Sequence, residues 1–247
     1  MSNRVAVHRV ALDLTHVQYI GDSTTSLILA LLTLSPILIN PAYAVLAVQT
    51  RELFFIEMWV GQMLCEVFNW FIKHAIQEER PHRELGDGFG FPSSHSQWMG
   101  YFSAFLLCHL TFRHRFIPTG WWLVDVLWRM LVYAGLMSWA LAVACSRYYL
   151  SYHTLRQVTW GLSIGATFGT CYYTVVEVLP FVWPASVLGR ARTAALANPV
   201  STWLRIRDGW AVWADGGREA EWLRWRMKWE KSGPAGTQRA SLSAKKD

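Results

Sequence analysis

Three short segments hold the side chains able to do chemistry. Lys73 and the pair Arg80-Pro81 are separated by six residues, Pro92-Ser93-Ser94-His95 stands directly before an apolar run, and Ser146-Arg147 is followed after five residues by His153 and after three more by Gln157. Each segment alone has a plain explanation: a Lys or Arg at a membrane boundary is usually an anchor, and Ser-Ser-His before an apolar run is often a helix cap. Together they bring two histidines and three permanent cations to the ends of separate apolar stretches, which is what phosphoryl transfer requires. Lys73, Arg80 and Arg147 can neutralise phosphate oxygens as charge redistributes, the arginines as planar forks. Ser93, with the backbone N–H groups of residues 93–95 at a helix N-terminus, adds donors and a favourable dipole. One imidazole can attack phosphorus if its second nitrogen is held by an acceptor, and the other can protonate the leaving oxygen.

Such a constellation has to be mounted on rigid elements, and the composition says which. Of 247 residues 53% are hydrophobic and only 16% charged, where a soluble domain carries about a quarter. Fifteen tryptophans exclude a disordered chain. Five stretches approach the roughly 20 apolar residues of a membrane-crossing helix: Ser26 to Val48, Leu53 to Ile72, Gln97 to Phe112, Leu127 to Cys145 and Val158 to Leu179. The first is interrupted by Pro36 and Pro41, where a kink or break is expected. The third is short, so four spans remain an alternative. Asp13, Asp22 and the lack of an apolar core near the start argue against a cleaved signal peptide. The expected fold is therefore all-α, a polytopic membrane helix bundle.

Positive charge orients that bundle. The formal net charge is +6, and 12 of the 23 Lys and Arg, against 6 of the 17 acidic residues, follow Leu179. With five spans, Arg51, the turn Arg113-His114-Arg115 and the tail share one side, cytosolic by the positive-inside rule, and the three reactive segments share the other. The charge thus reports topology, and no nucleic-acid partner is expected. Residues 1–180 read as a membrane-embedded domain and 181–247 as a basic, Trp-rich cytosolic tail. In that tail Trp222, Trp225 and Trp229 recur at helical spacing among Arg224, Arg226, Lys228 and Lys231, which suits a helix lying on an anionic leaflet or one packed on the bundle. The Ser/Ala/Lys-rich last dozen residues are expected to be disordered. In the second span Gln62, Glu66, Asn69 and Lys73 share one helical face, which must look into the bundle because a Glu facing lipid is costly. Glu57, Asp125 and Arg129 can pair at the cytosolic end, with snorkelling the plainer reading for Arg129. Cys65, Cys108, Cys145 and Cys171 show neither zinc nor disulfide spacing and read as packing residues.

In order and internal spacing the three reactive segments resemble the signature of the type-2 phosphatidic acid phosphatase superfamily, K-x6-R-P, P-S-G-H and S-R-x5-H-x3-D. Ser94 stands in place of the family Gly and Gln157 in place of its Asp. A closer resemblance, to the dolichyldiphosphatases within that superfamily, takes in Thr15 to Asp22, Gln77 to Pro81, Phe91 to Gln97, Ser146 to Thr154 and Leu204 to Asp208, and both departures are shared there. The resemblance implies a vanadium-haloperoxidase-like core. It also implies an endoplasmic-reticulum enzyme whose site faces the lumen, releasing phosphate from dolichyl diphosphate to recycle the lipid carrier of N-glycosylation. Under it His153 is the nucleophile that becomes a phosphohistidine, and His95 is the acid for departing dolichyl monophosphate and then the base for water. Lys73, Arg80, Ser93 and Arg147 hold the phosphate, Ser94 contributes its N–H, and Gln157 orients His153.

A neutral amide fixes the tautomer of His153 but cannot offset imidazolium charge as a carboxylate does. No metal or other cofactor is implied, because the cations perform the neutralisation; Glu78, Glu79, Glu84 and Asp87 read as a solvated loop. The partners implied are dolichyl diphosphate and membrane lipid. Two other readings stay open. The motifs read the phosphate rather than the lipid, so a broader phosphatase acting on phosphatidate or a sphingoid phosphate fits them too. A catalytically silent membrane scaffold is the third reading, and the retention of Lys73, Arg80, His95, Arg147 and His153 speaks against it.

Overall fold

The computed structural model describes residues 9–12, 17–20, 23–82 and 88–232. Glu84, Asp87, both ends of the Thr15 to Asp22 block and the Ser/Ala/Lys-rich terminus lie outside the described residues. A short antiparallel hairpin, β1 (Arg9–Leu12) and β2 (Val17–Ile20), pairs Arg9 with Ile20 and Leu12 with Val17. Helices α1 (Thr24–Thr33), α2 (Ser35–Thr50), α3 (Leu53–Ile76), α4 (Ser94–Phe112), α5 (Trp122–Tyr149) and α6 (Leu155–Tyr173) form the bundle. A π-helical turn, Thr174–Val178, continues α6 into α7 (Leu179–Val182), and α8 (Val187–Ala197), α9 (Pro199–Leu204), α10 (Gly209–Val212) and α11 (Arg218–Ser232) complete the chain. The hairpin is the exception to an all-helical reading.

Among the described residues, three segments are long and apolar enough to cross a membrane: Thr24–Thr50, Trp122–Tyr149 and Leu155–Val182. They contain the first, fourth and fifth expected stretches. The expected interruption of the first falls at Leu34, between α1 and α2, with Pro36 in the opening turn of α2 where a missing N–H is harmless. Helices α3 and α4 cover the other two stretches and carry the interior polar face and the Ser-His-Ser-Gln start that the site uses.

The site owes its geometry chiefly to the seam between α4 and α6. Gly161, Gly165 and Gly169 present a bare stripe to the α4 backbone. A Cβ at Gly161 would lie 2.7 Å from Ser93 O, one at Gly165 would collide with Gln97 O, and one at Gly169 would lie 2.9 Å from Tyr101 O. Both partner series advance by four residues in the same direction, so α4 and α6 run parallel in register. Small residues permit this close backbone approach without help from a hydrophobic driving force. A consequence is that both helix N-termini, at Ser94 and Leu155, open on the same end of the bundle, with their positive dipole ends towards it. The polar face of α3 does look inward: Gln62 and Asn69 are buried, Tyr43 donates to Gln62 Oε1 at 3.3 Å and Asn69 donates to Gln97 Oε1 at 2.7 Å.

At the opposite end the segment after α7 is tied into the bundle. Arg192 donates to Glu57 (3.0 Å), Glu177 (3.2 Å) and Asp208 (2.8 Å), and to the carbonyl of Val176 (2.8 Å) in the π-helical turn. Burial disfavours its charge, but Glu177, Glu57 and Asp208 outweigh this and hold its pKa above the ordinary arginine value. Arg113 lies 3.5 Å from Glu177 and 3.7 Å from Asp208. Glu57 thus finds its partner in Arg192 rather than in the α5 pair expected from sequence. Asp125 instead accepts from Thr119 N and Oγ1, and Arg129 lies over the Phe116 ring. Trp222, Trp225 and Trp229 on α11 are all about half exposed.

Candidate active site

Lys73 stands in the last turn of α3. The chain then reverses at Gln77, whose left-handed φ of 53° ends the helix, and lays Glu78 to Arg80 against the start of α6. Ser93 is the N-cap of α4, and His95 is in the first turn. Arg147 occupies the last turn of α5, and the loop that follows folds back: the N–H groups of Tyr152 and His153 both donate to Arg147 O, at 3.1 and 3.3 Å. This return, with Ser151 at a φ of 64°, explains why five residues separate the arginine from the histidine. Thr154 and Gln157 form a reciprocal capping box at the start of α6, Thr154 Oγ1 accepting from Gln157 N and Gln157 Oε1 accepting from Thr154 N, both at 3.2 Å.

The eight expected site residues therefore meet at one end of the bundle. His153 is 3% exposed. Its Nδ1 lies 3.0 Å from Gly90 O and 3.2 Å from Gln157 Oε1. Both neighbours are acceptors, so Nδ1 carries the proton and Nε2 keeps its lone pair. Burial, then the charges of Arg147 and Arg80, push the His153 pKa down to about 3, against a smaller upward pull from the Gln157 hydrogen bond. The ring is therefore neutral throughout the physiological range. The charges of Arg147, Lys73 and Arg80 all bear on His95, which places the second imidazole in the same cluster.

Arg147 is buried and stacks on the Tyr152 ring, 3.9 Å from its centroid. Tyr152 Oη accepts from Gln18 N at 2.7 Å, so β2 of the hairpin braces the ring that supports the guanidinium. Ser146 is structural: its hydroxyl bonds Val143 O at 2.7 Å and Thr33 Oγ1 at 2.8 Å, joining α5 to α1. The N–H of Ser93 donates to Gln157 O at 3.1 Å, so the backbone donors at the α4 N-terminus without a partner among the described residues are those of Ser94, His95 and Ser96 rather than Ser93. The Ser93 hydroxyl is engaged with Ser96 Oγ at 3.1 Å. Ser94 donates its hydroxyl to Asn69 Oδ1 at 3.1 Å.

Sequence reasoning missed Gly90 and gave Glu78 no task. Gly90 accepts from His153, donates its N–H to Glu78 O at 2.6 Å, and has no room for a Cβ, which would lie 2.7 Å from Gln157 Nε2. Gln157 Nε2 donates to Glu78 Oε1 at 2.9 Å and to Glu79 O at 3.0 Å, and Glu78 is also paired with Arg156. The Thr-x-x-Gln capping signature was available to place Gln157 at a helix start; nothing local announced its contact with Glu78, 79 positions away.

The family model for the PAP2 superfamily matches residues 54–180. Among curated proteins, "Dolichyldiphosphatase 1" of Rhinolophus ferrumequinum is 38% identical over 206 residues, covering 79% of this chain and 80% of that protein. "Dolichyldiphosphatase 1" of Homo sapiens is 38% identical over 205 residues with the same coverage, and "Dolichyldiphosphatase" of Saccharomyces cerevisiae is 32% identical over 178 residues, 69% of this chain and 72% of that protein. No solved structure matches. With its three motifs gathered around His153, the chain belongs to the PAP2 superfamily, in its dolichyldiphosphatase family.

Proposed function

We propose that this protein hydrolyses dolichyl diphosphate to dolichyl monophosphate and inorganic phosphate through a phosphohistidine. The observation that carries the reading is the His153 Nδ1–H held between Gly90 O and Gln157 Oε1, which leaves Nε2 as a neutral nucleophile beside three cations. The names of the relatives supply the substrate.

In the first step Nε2 attacks the terminal phosphorus. The bond from that phosphorus to the bridging oxygen breaks, its electron pair stays on that oxygen, and His95 delivers the proton. Lys73, Arg80 and Arg147 hold the three peripheral oxygens of the transferring group, with the N–H groups of Ser94 to Ser96 as further donors. In the second step His95, now neutral, takes a proton from water, which attacks the phosphohistidine and releases phosphate and His153 Nε2. Five spans, a luminal site, an endoplasmic-reticulum location and a cytosolic segment after residue 180 with α11 on the leaflet complete the proposal; the supports are the charge distribution and the exposed tryptophans of α11.

Purified protein tests it on a panel of dolichyl diphosphate, dolichyl monophosphate and phosphatidate. Preference for the diphosphate, with a phosphoenzyme trapped in wild type and absent in His153→Ala, is expected. Comparable rates on all three would leave the broader lipid phosphatase, and full activity in His153→Ala would remove the nucleophile.

A further inference from the structure

The motif residues deal with the phosphate that is transferred and leave unassigned the part of the molecule that departs. Beside His95, which lines it, a cavity of about 300 Å³ opens between α2, α3 and α4. Its polar lining differs in kind from that of the phosphate cluster, because it holds no cation. Trp98 Nε1 is buried against it and has no hydrogen-bond partner among the described residues. Asn40 spends its Oδ1 on Trp59, 2.8 Å away, and keeps its Nδ2–H2 uncommitted among the described residues. Glu66 supplies one buried oxygen, Oε1, also without a partner among the described residues. Ser94 and His95 close it on the side of the phosphate cluster, and Pro36 and Ile37 of α2 form its apolar wall, with Ile37 54% exposed on the outer surface of the bundle.

We infer that this cavity receives the leaving group, a phosphate monoester of a long isoprenoid alcohol, with its phosphate on Trp98 and Asn40 and its chain passing out over Pro36 and Ile37. The inference rests on the hydrolysis of a polyprenyl diphosphate proposed above. Charge divides the substrate between the two sites. The terminal phosphate carries the greater negative charge and meets Lys73, Arg80 and Arg147, while the inner phosphate, joined by an ester to the alcohol and by an anhydride to the terminal phosphate, carries a single charge that neutral donors can hold. The Trp98 indole N–H is a buried, unsatisfied donor and the Asn40 amide is an exposed one at the mouth; an inner-phosphate oxygen satisfies the first and reaches the second. That oxygen shares the space only with the acid form of Glu66, which converts the same carboxyl into a donor. His95 lines the cavity and feels the cations of the phosphate cluster, so it belongs to both, as the group that protonates the bridging oxygen must. A phosphatidate would set its glycerol esters, which offer only acceptors and branch into two chains, against the same donors, so this cavity selects for a diphosphate with a single chain.

Binding of two probes, polyprenyl monophosphate and inorganic phosphate, is read from ligand-induced shifts in the Tm of the full-length protein in detergent, which need no turnover. Polyprenyl monophosphate is expected to bind even when inorganic phosphate saturates the cation cluster. Trp98→Phe, which removes the donor and keeps the ring, should weaken polyprenyl monophosphate about tenfold and leave inorganic phosphate within about twofold. Ile37→Trp, on the exposed rim, should also weaken the lipid probe selectively, and it covers the case in which Trp98→Phe does not fold. Mutual exclusion of the two probes, or a variant that changes both or neither, would overturn the assignment. If wild type binds both probes together but does not hydrolyse polyprenyl diphosphate, the cavity stands and the proposed reaction fails.

Discussion

Gln157 Nε2 donates to Glu78 Oε1 at 2.9 Å while its Oε1 faces His153 Nδ1 at 3.2 Å. The amide is thereby fixed in one orientation, since a flipped amide would put an N–H against the ring N–H and an oxygen against a carboxylate. A residue that looks like the loss of a carboxylate is in fact a link between a carboxylate and the imidazole. Gln157→Leu should lower kcat by roughly 5- to 150-fold, the range for one broken buried hydrogen bond, with KM little changed. Gln157→Asp, a return to the superfamily pattern, should not restore it, because the shorter side chain would bring a second carboxylate against Glu78 and Glu79 O. Glu78→Ala should copy the Gln157→Leu defect and Glu78→Gln, which keeps an acceptor, should rescue it; wild-type kinetics in Glu78→Ala would show that the link has no catalytic consequence.

His153 also makes a prediction about stability. Its pKa of about 3 in the folded protein lies below the ordinary 6.5 of an unfolded histidine, so between those values the unfolded chain binds the extra proton. The sign is then fixed: the contribution is intact above about pH 6.5 and declines as pH falls towards 3, by at most about 1.4 kcal/mol per pH unit. His153→Asn has no such proton to bind. The Tm of wild type relative to His153→Asn should therefore drop steadily from pH 7 to pH 4.5; a difference independent of pH would mean that the ring titrates normally.

Most of this site could be read from the sequence because its residues lie within a few positions of helix ends, where spacing and capping rules act locally. Steps of four, three and four put Gln62, Glu66, Asn69 and Lys73 on one face of α3 without any knowledge of the partner helices. What was not legible depends on contacts between distant segments. Gly90 matters through the space taken by Gln157, Tyr152 through a backbone N–H of Gln18, and Glu57 through an arginine 135 positions later. The hairpin was missed because strands of four residues leave too short a pattern for period-two alternation to stand out.

Gly90 and Gly165 separate catalytic geometry from folding. A methyl at Gly90 meets Gln157 Nε2 and the Glu79 carbonyl, so Gly90→Ala should displace the amide that orients His153 and reduce kcat at least tenfold, with a modest change in Tm. At Gly165 the methyl meets the backbone of Gln97 inside the α4–α6 seam, and Gly165→Ala should destabilise the whole bundle by about 1–3 kcal/mol, the usual range for overpacking. Parallel activity and thermal-unfolding measurements distinguish the two. Equal Tm losses would mean that Gly90 is simply another packing glycine.

The ion cluster at the other end should make the later helices part of the folded unit. Removing Arg192 leaves buried Glu177 and the largely covered Glu57 and Asp208 with only Arg113 as an ion partner among the described residues, and breaking a buried pair from one side costs about 3–5 kcal/mol. Arg192→Ala should thus lower Tm strongly, although it lies at the end remote from His153. Arg192→Lys should recover little, because one ammonium cannot reproduce a fork that reaches three carboxylates and the Val176 carbonyl. Near-normal Tm in Arg192→Ala would mean that the segment beyond α7 is merely attached.

Orientation is the remaining prediction, and helix direction constrains it. Helices α4 and α6 run parallel away from the site, so the turn after α4 and the chain after α7 emerge together at the far end. There Arg115 donates its N–H to Ala214 O at 2.8 Å, and the basic turn and basic tail meet. By the positive-inside rule that end is expected in the cytosol and the phosphate cluster in the lumen. With the four native cysteines replaced, a cysteine at exposed Thr119 should react with an impermeant maleimide in sealed, right-side-out microsomes. A cysteine at exposed His82 should react only after permeabilisation. The reverse pattern would place the reactive end in the cytosol, and equal labelling of both before permeabilisation would mean that the segments between them do not cross the membrane an odd number of times.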